Sequence, residues 1–241
     1  MHKHHSDTRS TDSSTGVLIG LLIIALWTAA LAWNLARPVA WLSPLTWLMV
    51  WVQTHLFTGL FITAHDAMHG SVAPRRPWLN HLIGRICTVL FIFNSYSTLR
   101  PKHYQHHRFV GTENDPDFHK GNAQFWPWYW DFLREYISLR QLVLAAIAFN
   151  VAAIWIPQAN LILYWVLPSL LSTLQLFYFG TFVPHMGEHG PDNVHKAHTQ
   201  PANHLLAFLT CYFFGYHYEH HDTPMTPWWK LWKVKEAQHH A

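Results

Sequence analysis

The sequence is poor in charged residues, which make up only 12% of its 241 residues. Soluble domains carry about 25% charged residues, so this chain cannot cover the surface of a soluble globule. The hydrophobic share of 50% excludes a disordered chain, because disordered segments are poor in apolar residues. The 16 Lys and Arg form no dense stripe, and we expect no nucleic acid partner.

Cysteine is scarce as well. Cys87 and Cys211 lie far apart and neither belongs to a C-x-x-C pair, so the sequence predicts neither a disulfide framework nor a thiolate metal site. The N-terminus has no short apolar core followed by a small-residue cleavage site, and we expect no removable signal peptide. The length fits one domain, or at most two.

Long apolar segments are abundant by contrast, and a transmembrane helix needs about 20 such residues. We predict four spans, the third of them short, at about residues 16–36, 39–64, 142–156 and 161–183. The apolar run 86–93 is too short to cross and predicts a re-entrant or in-plane helix. The expected organisation is a polar tail (1–15), one membrane domain (16–235) and a short tail (236–241).

The distribution of positive charge predicts the orientation. All but one of the 16 Lys and Arg lie in the two terminal segments or between the second and third spans, and Arg37 is the exception. Loops rich in Lys and Arg face the cytoplasm. The sequence therefore predicts a multi-pass integral membrane protein with both termini and the central polar segment cytoplasmic.

Histidine is unusually abundant, with 21 residues, and most of them recur at helical spacing. Positions i, i+3 and i+4 share one face of a helix, and imidazole binds iron, zinc, copper and nickel. Three histidine boxes and one further pair lie on the predicted cytoplasmic side: His65 and His69; His103, His106 and His107; His217, His220 and His221; and His185 with His189. An isolated pair is commonly a polar interfacial feature, but four groups on one side predict a metal centre.

The number of imidazoles indicates more than one ion. One zinc takes about four ligands, whereas the three boxes already supply eight. His185 or His189 would supply a ninth. Soluble di-iron bundles use a Glu-x-x-His motif, which none of the histidine boxes contains, so we expect a histidine-rich centre for two metals.

The boxes and their flanks resemble the membrane fatty-acid desaturase and hydroxylase superfamily, and within it the bacterial carotenoid ketolases. The resemblance is carried by residues 64–72, 103–119, 179–190 and 214–229. It implies an all-α integral membrane protein of the bacterial inner membrane, with four transmembrane helices and a cytoplasmic His-rich cap that holds two non-haem Fe²⁺ ions. The three boxes would be ligands together with His189, which lies 28 residues before His217. His185 is the alternative, and His195 in the departing segment 191–204 is a third candidate.

The resemblance also implies an activity and partners. The enzyme would introduce a 4-keto group into β-ionone rings of carotenoids, using O2 and external electrons, by two hydroxylations at the allylic C4 and loss of water. The partners would be a carotenoid, O2, a ferredoxin-type donor and the lipid bilayer. A carotenoid hydroxylase and a fatty-acyl desaturase are the alternatives in the same superfamily. The sequence leaves open β-carotene against a hydroxylated carotenoid, the donor and the oligomeric state.

Other classes fit the sequence less well. A zinc hydrolase would need H-E-x-x-H, and Asp66 stands where its Glu would be. A transporter holds its ligands near the middle of the membrane, and a haem carrier needs only two axial histidines. The boxes cluster at one face of the membrane, which argues against both a transporter and a haem carrier.

Three carboxylates adjoin the boxes and could accept the second ring N–H of a ligand: Asp66, Asp115 and Asp117. A turn or helix cap is the alternative for the last two. Glu219, inside the third box, could be another such acceptor, but we interpret it as a solvated charge. The aromatic run 125–130 is interpreted as an interfacial belt, with a substrate tunnel as the alternative.

Overall fold

The computed structural model describes residues 14–239, and all regular structure in that range is helical. Residues 1–13 of the predicted N-terminal tail lie outside it. The helices are α1 (Thr15–Leu35), α2 (Pro44–Met68), α3 (Pro77–Leu90), α4 (Tyr96–Phe109), α5 (Phe125–Tyr136), α6 (Leu139–Ala152), α7 (Gln158–His185), α8 (His204–Cys211), α9 (His217–Asp222) and α10 (Leu231–His239), with a 3-10 turn at Trp228–Lys230.

Three helices, α1, α2 and α7, are long and apolar enough to cross a membrane. Helices α5 and α6 pass the same test as a pair, but they meet at 84°. The prediction of an all-α fold is therefore confirmed, and residues 14–239 contain three candidate membrane helices, or up to four if the bent pair is one span. The run 86–93 falls mostly within α3, which is 14 residues long and packs along α2.

Helix α2 is the central element. Pro44 occupies its first turn, where the missing N–H costs nothing, and from residue 57 onward most of its side chains are buried. Gly84 of α3 lets the neighbouring α4 approach, because a Cβ there would lie 2.4 Å from Tyr96 Cε2. The Tyr96 hydroxyl donates to the Ala67 carbonyl at 2.7 Å and so ties α4 to the end of α2 that carries the first histidine box.

Helix α7 packs on the other side of α2 and contains two π-helical turns, Ile162–Val166 and Tyr178–Phe182. Such turns are rare and frequently occur at functional sites. The second lies directly before Val183–His185, the last turn of α7. A buried contact of 2.8 Å between the hydroxyls of Thr58 and Ser172 links α2 to α7 within the apolar core.

Candidate metal centre

The ends of α2, α4, α7 and α9 bring the predicted boxes together into two groups of imidazoles. In each group the ligand nitrogens lie within 4.8 Å of one another. The first group consists of His65, His69, His103, His107 and His220, and the second of His106, His185, His217 and His221. The i, i+3, i+4 spacing therefore divides each H-x-x-H-H box between two neighbouring sites.

Nitrogen–nitrogen distances within the first group are short. His69 Nε2 lies 2.6 Å from His103 Nε2, and His107 Nε2 lies 3.1 Å from both His103 Nε2 and His220 Nε2. His65 Nε2 completes the group at 3.2 Å from His220 Nε2. The Nε2 atoms of all five rings therefore converge on one small volume.

The second group has the same character. His221 Nε2 lies 3.1 Å from His106 Nε2 and 3.0 Å from His217 Nε2, and His185 Nε2 lies 3.0 Å from His217 Nε2. All four side chains are buried. The groups adjoin, because the ring centroids of His107 and His221 are 4.2 Å apart.

The protonation of these rings shows that the residues fit metal ions. The Lys196 carbonyl can only accept, so His185 Nδ1 at 2.8 Å from it carries the proton and its Nε2 carries a lone pair. Asp115 places a lone pair on His106 Nε2 in the same way, with 2.9 Å between Oδ1 and Nδ1. Converging lone pairs repel unless a cation lies among them. Ligand nitrogens about 2.0–2.1 Å from one ion lie about 3.0–3.4 Å apart, close to the spacing found.

Burial favours the neutral form of most of these imidazoles, and metal ligands must be neutral. Burial and neighbouring imidazoles lower the pKa of His103, His220 and His221 well below the usual value. For His106, burial alone would lower the pKa, but the effects of Asp117 and Asp115 raise it and are larger together. The net pKa of His106 is therefore raised.

Two of the three predicted carboxylates contact ligand candidates directly. Asp115 accepts from His106 and from the backbone N–H groups of Gly111 and Asp117, each at 2.9 Å, so it also forms the turn that was the alternative interpretation. Asp66 Oδ1 lies 3.4 Å from His65 Nδ1, and its other oxygen accepts the backbone N–H of Trp228 at 2.9 Å. This second contact joins the first box to the segment before α10.

Asp117 lies further from the ligand candidate His106 than Asp115 does. Its Oδ2 lies 3.8 Å from His106 Nδ1, and its Oδ1 accepts a hydrogen bond from the Tyr136 hydroxyl. Trp128 Nε1 donates to the Asp117 carbonyl at 2.7 Å, so the aromatic run supports this carboxylate. Trp126 and Trp130 of the same run are exposed, as an interfacial belt requires. No sequence spacing relates Tyr136 to Asp117, so nothing in the sequence indicated this contact.

The structure places His189 outside both groups. Its ring packs on His198 at 4.4 Å, and its two nitrogens have no partner. His185 occupies the ligand position that the sequence led us to expect for His189. The chain leaves α7 at Met186 in an extended conformation and Gly187 follows with a positive φ, so the chain turns away before it reaches His189. His195 lies at the rim, with its ring 6.0 Å from that of His221 and its Nε2 3.4 Å from Asp222.

The interpretation of Glu219 as a solvated charge is wrong. The residue is 1% exposed, Thr199 donates to it at 2.6 Å, and Lys235 Nζ lies 3.0 Å from it. Lys235 comes from α10, 16 positions further along the chain, and carried no signal in the sequence. The ion pair fastens α10 to the short helix α9 that bears the third box.

A mostly apolar cavity of ≈ 160 Å³ adjoins both imidazole groups. His65 and His103 of the first group and His106 and His217 of the second line its inner end. Leu142 of α6 and Leu170 of α7 line it as well, and both are more than half exposed. The cavity therefore runs from the histidines to an apolar outer face between α6 and α7.

Comparison with known proteins places this geometry in a family. The fatty acid desaturase family model matches residues 41–143 and 132–240, so the chain belongs to the fatty acid desaturase family. Within it, the chain is similar to carotenoid ketolases. It is 38% identical to the Beta-carotene ketolase of Haematococcus lacustris over 95% of this chain and 81% of that protein. It is 39% identical to the Beta-carotene ketolase of Paracoccus sp. (strain PC1) over 93% of this chain and 91% of that protein.

A third relative differs in the substrate that its name gives. The chain is 36% identical to the Zeaxanthin 4-ketolase of Chlamydomonas reinhardtii over 92% of this chain and 53% of that protein. The resemblance inferred from the histidine boxes is thereby confirmed. Together with the candidate membrane helices, family membership makes the chain a membrane protein with a histidine-rich site compatible with metal.

Proposed function

We propose that this protein is a non-haem di-iron membrane oxygenase that introduces a 4-keto group into β-ionone rings of carotenoids. The observation that carries the proposal is the likeness to proteins named β-carotene ketolase over more than nine-tenths of the chain. An apolar cavity that ends at two imidazole groups supports it, because a carotenoid ring is apolar and must reach the oxidising centre.

Nine histidines would hold two iron ions, five in one group and four in the other. When bound, iron would supply the activation of O2 that oxidation of an allylic C–H bond requires, which redox-inert zinc does not. Asp115 and the Lys196 carbonyl hold the Nδ1 protons of His106 and His185, and so direct each Nε2 inward. His185, rather than His189, is proposed as the ninth ligand.

The substrate would bind with its ring in the cavity and its polyene toward the apolar mouth. Phe61, Leu99 and Phe214 would pack on the ring and exclude water, while the histidines at the inner end face C4. Each of two rounds consumes one O2, two electrons and two protons, replaces a C4–H by C4–OH and releases one water. The resulting gem-diol loses a further water to give the ketone.

Membrane placement follows from charge and from the helices. We propose four spans, formed by α1, α2, the bent pair of α5 and α6, and α7, within one domain over residues 16–235, in the bacterial inner membrane. Both termini and the histidine groups would be cytoplasmic, since nearly all Lys and Arg lie on that side. A cytoplasmic ferredoxin-type protein would supply the electrons.

Pigment analysis tests the proposal. The chain is expressed in a bacterium that accumulates β-carotene, beside a His106→Ala variant as the inactive control, and the extracted pigments are separated and weighed. Ring ketones with the wild type alone are the expected result. Hydroxylated pigment without ketone would transfer the function to a carotenoid hydroxylase. Unchanged β-carotene in membranes that contain the iron-loaded protein would overturn the proposed substrate.

A further inference from the structure

One hydroxyl group in the wall of the apolar cavity has no hydrogen-bond partner among residues 14–239. It belongs to Thr181, which lines the cavity and is 3% exposed. Protein atoms do not enclose the Thr181 oxygen completely, in contrast to the buried side-chain atoms of the described chain that lack a partner. The hydroxyl is therefore open to the cavity that the residue lines.

The other hydroxyl groups that line this cavity already donate their protons within the protein. The Ser169 hydroxyl donates to the Val166 carbonyl at 2.7 Å, and the Thr173 hydroxyl donates to the Ser169 carbonyl at 2.9 Å. The Tyr136 hydroxyl donates to Asp117. Of the hydroxyl groups in the described lining, the one on the second π-helical turn of α7 is thus the one that can still donate to a ligand.

Local structure places Thr181 at the inner end of the cavity. The residue belongs to the π-helical turn Tyr178–Phe182 and lies four positions before His185 of the second imidazole group. The preceding residue, Gly180, packs directly against the Phe214 ring. That ring lies beside the second imidazole group, with its centroid 5.1 Å from that of His217. Thr181 therefore stands close to the ligand candidates and away from the apolar mouth.

The proposed reaction passes through an alcohol at this end of the cavity. The first round converts a C4–H bond into C4–OH, and the second round has to oxidise the same carbon before the ketone can form. Between the two rounds the ring must stay in the cavity with C4 toward the histidines. Apolar side chains alone hold a ring by its hydrocarbon surface, which the first round leaves almost unchanged.

We infer that Thr181 retains the 4-hydroxy intermediate through a hydrogen bond between its Oγ1 and the C4 hydroxyl group, and so commits the ring to the second oxidation. The inference rests on the proposed function, which it deepens by assigning a residue that couples its two rounds. With C4 toward the histidines, the C4 oxygen lies at the inner end, where the Thr181 hydroxyl can donate to it or accept from it. β-Carotene carries no such group, so this contact favours the alcohol over the starting hydrocarbon.

Product ratios test the inference. Membranes that contain the protein, with electron donor and O2, receive β-carotene, and the 4-hydroxy and 4-keto products are quantified at low conversion. Thr181→Val removes the hydroxyl at nearly the same shape. We expect the ratio of 4-hydroxy to 4-keto product to rise about 3- to 10-fold, the range of one hydrogen bond. The KM for added 4-hydroxy-β-carotene should rise by a similar factor, while the KM for β-carotene stays at the wild-type value.

Two variants serve as matched controls. Thr181→Ser keeps the hydroxyl and should keep the wild-type ratio. Thr173 lines the same cavity from the same helix, but its hydroxyl already donates to the Ser169 carbonyl, so Thr173→Val should leave the ratio unchanged. If Thr181→Val does not accumulate in the membrane, Thr181→Ala is measured in its place with the same expectation.

The possible outcomes separate this inference from the proposed function. An unchanged product ratio in the variant without the hydroxyl would overturn the inference. A loss of total product at an unchanged ratio would also overturn it and assign Thr181 a structural role. An equal rise of the ratio in Thr181→Ser would contradict it, because the effect would not depend on the hydroxyl. Wild-type membranes that yield no 4-oxygenated product would instead overturn the proposed function.

Discussion

Lys235 Nζ lies 3.0 Å from Glu219 Oε1, and the two side chains are only 7% and 2% exposed. Lys235 also donates to the Thr199 hydroxyl at 3.0 Å, and that hydroxyl donates to the other oxygen of Glu219. The three groups form a closed polar cluster directly behind the helix that carries His217, His220 and His221. Helix α9 has only six residues, and a helix of that length depends on such tertiary contacts for its stability.

Breaking this ion pair should destabilise the protein. Lys235→Met leaves the Glu219 carboxylate buried and unpaired, and removing one partner of a buried pair costs about 3–5 kcal/mol. We expect lower thermal stability in detergent and a lower iron content for Lys235→Met. The double variant Lys235→Met/Glu219→Leu should recover most of the stability, because no unpaired charge remains. Equal Tm values for the single variant and the wild type would contradict the assigned role.

Loss of a ligand should abolish activity without preventing membrane insertion. We expect His103→Ala, His107→Ala and His221→Ala to yield no product while the protein accumulates in the membrane at wild-type level. Metal analysis of the purified variants should give less than two irons per chain. Full activity in any of the three would contradict the ligand assignment.

His185 and His189 can be told apart experimentally. His185 contributes to the second imidazole group, whereas His189 packs against His198 outside it. His185→Ala should therefore lose iron and activity, and His189→Ala should keep both close to wild type. Iron stoichiometry and ketone yield measured side by side decide the question, and the reverse pattern would restore His189 as the ligand.

Asp115→Asn tests the support of His106. The amide keeps the shape of the side chain but accepts the His106 Nδ1 proton less strongly, so the ring is a weaker ligand. We expect iron affinity to fall about 10- to 100-fold, the usual effect of losing such a partner. Iron release to a chelator, followed over time, measures it. Glu113→Gln on the exposed surface nearby is the control and should release iron at the wild-type rate.

The stability of the metal-free protein should depend on pH. Burial and neighbouring imidazoles lower the pKa of His103, His217 and His220 well below 6.5, while the same residues in the unfolded chain titrate near 6.5. Below that pH the unfolded state binds more protons, so stability present at neutral pH is lost as the pH falls. His106, whose pKa is raised, opposes the trend. We expect Tm of the apoprotein to decrease from pH 7 to pH 5, and a flat or rising Tm would contradict this.

The sequence alone determined the features that depend on local spacing. A shortage of charge and long apolar runs predicted an all-helical membrane protein, because lipid excludes exposed backbone polar groups. The i, i+3, i+4 spacing of the boxes predicted imidazoles on single helix faces, because that spacing is a property of the helix itself. The same motifs led to the family that the comparisons confirm.

Tertiary structure decided whatever depends on distant parts of the chain. His106 and His107 are adjacent in sequence but join different groups, because His107 meets the histidines of α2 whereas His106 meets His185 of α7. His185 rather than His189 enters the second group because the chain turns away after α7. The contacts Asp66–Trp228, Asp117–Tyr136 and Glu219–Lys235 have no sequence spacing of their own, since packing between helices, and not periodicity within one helix, brings each pair together.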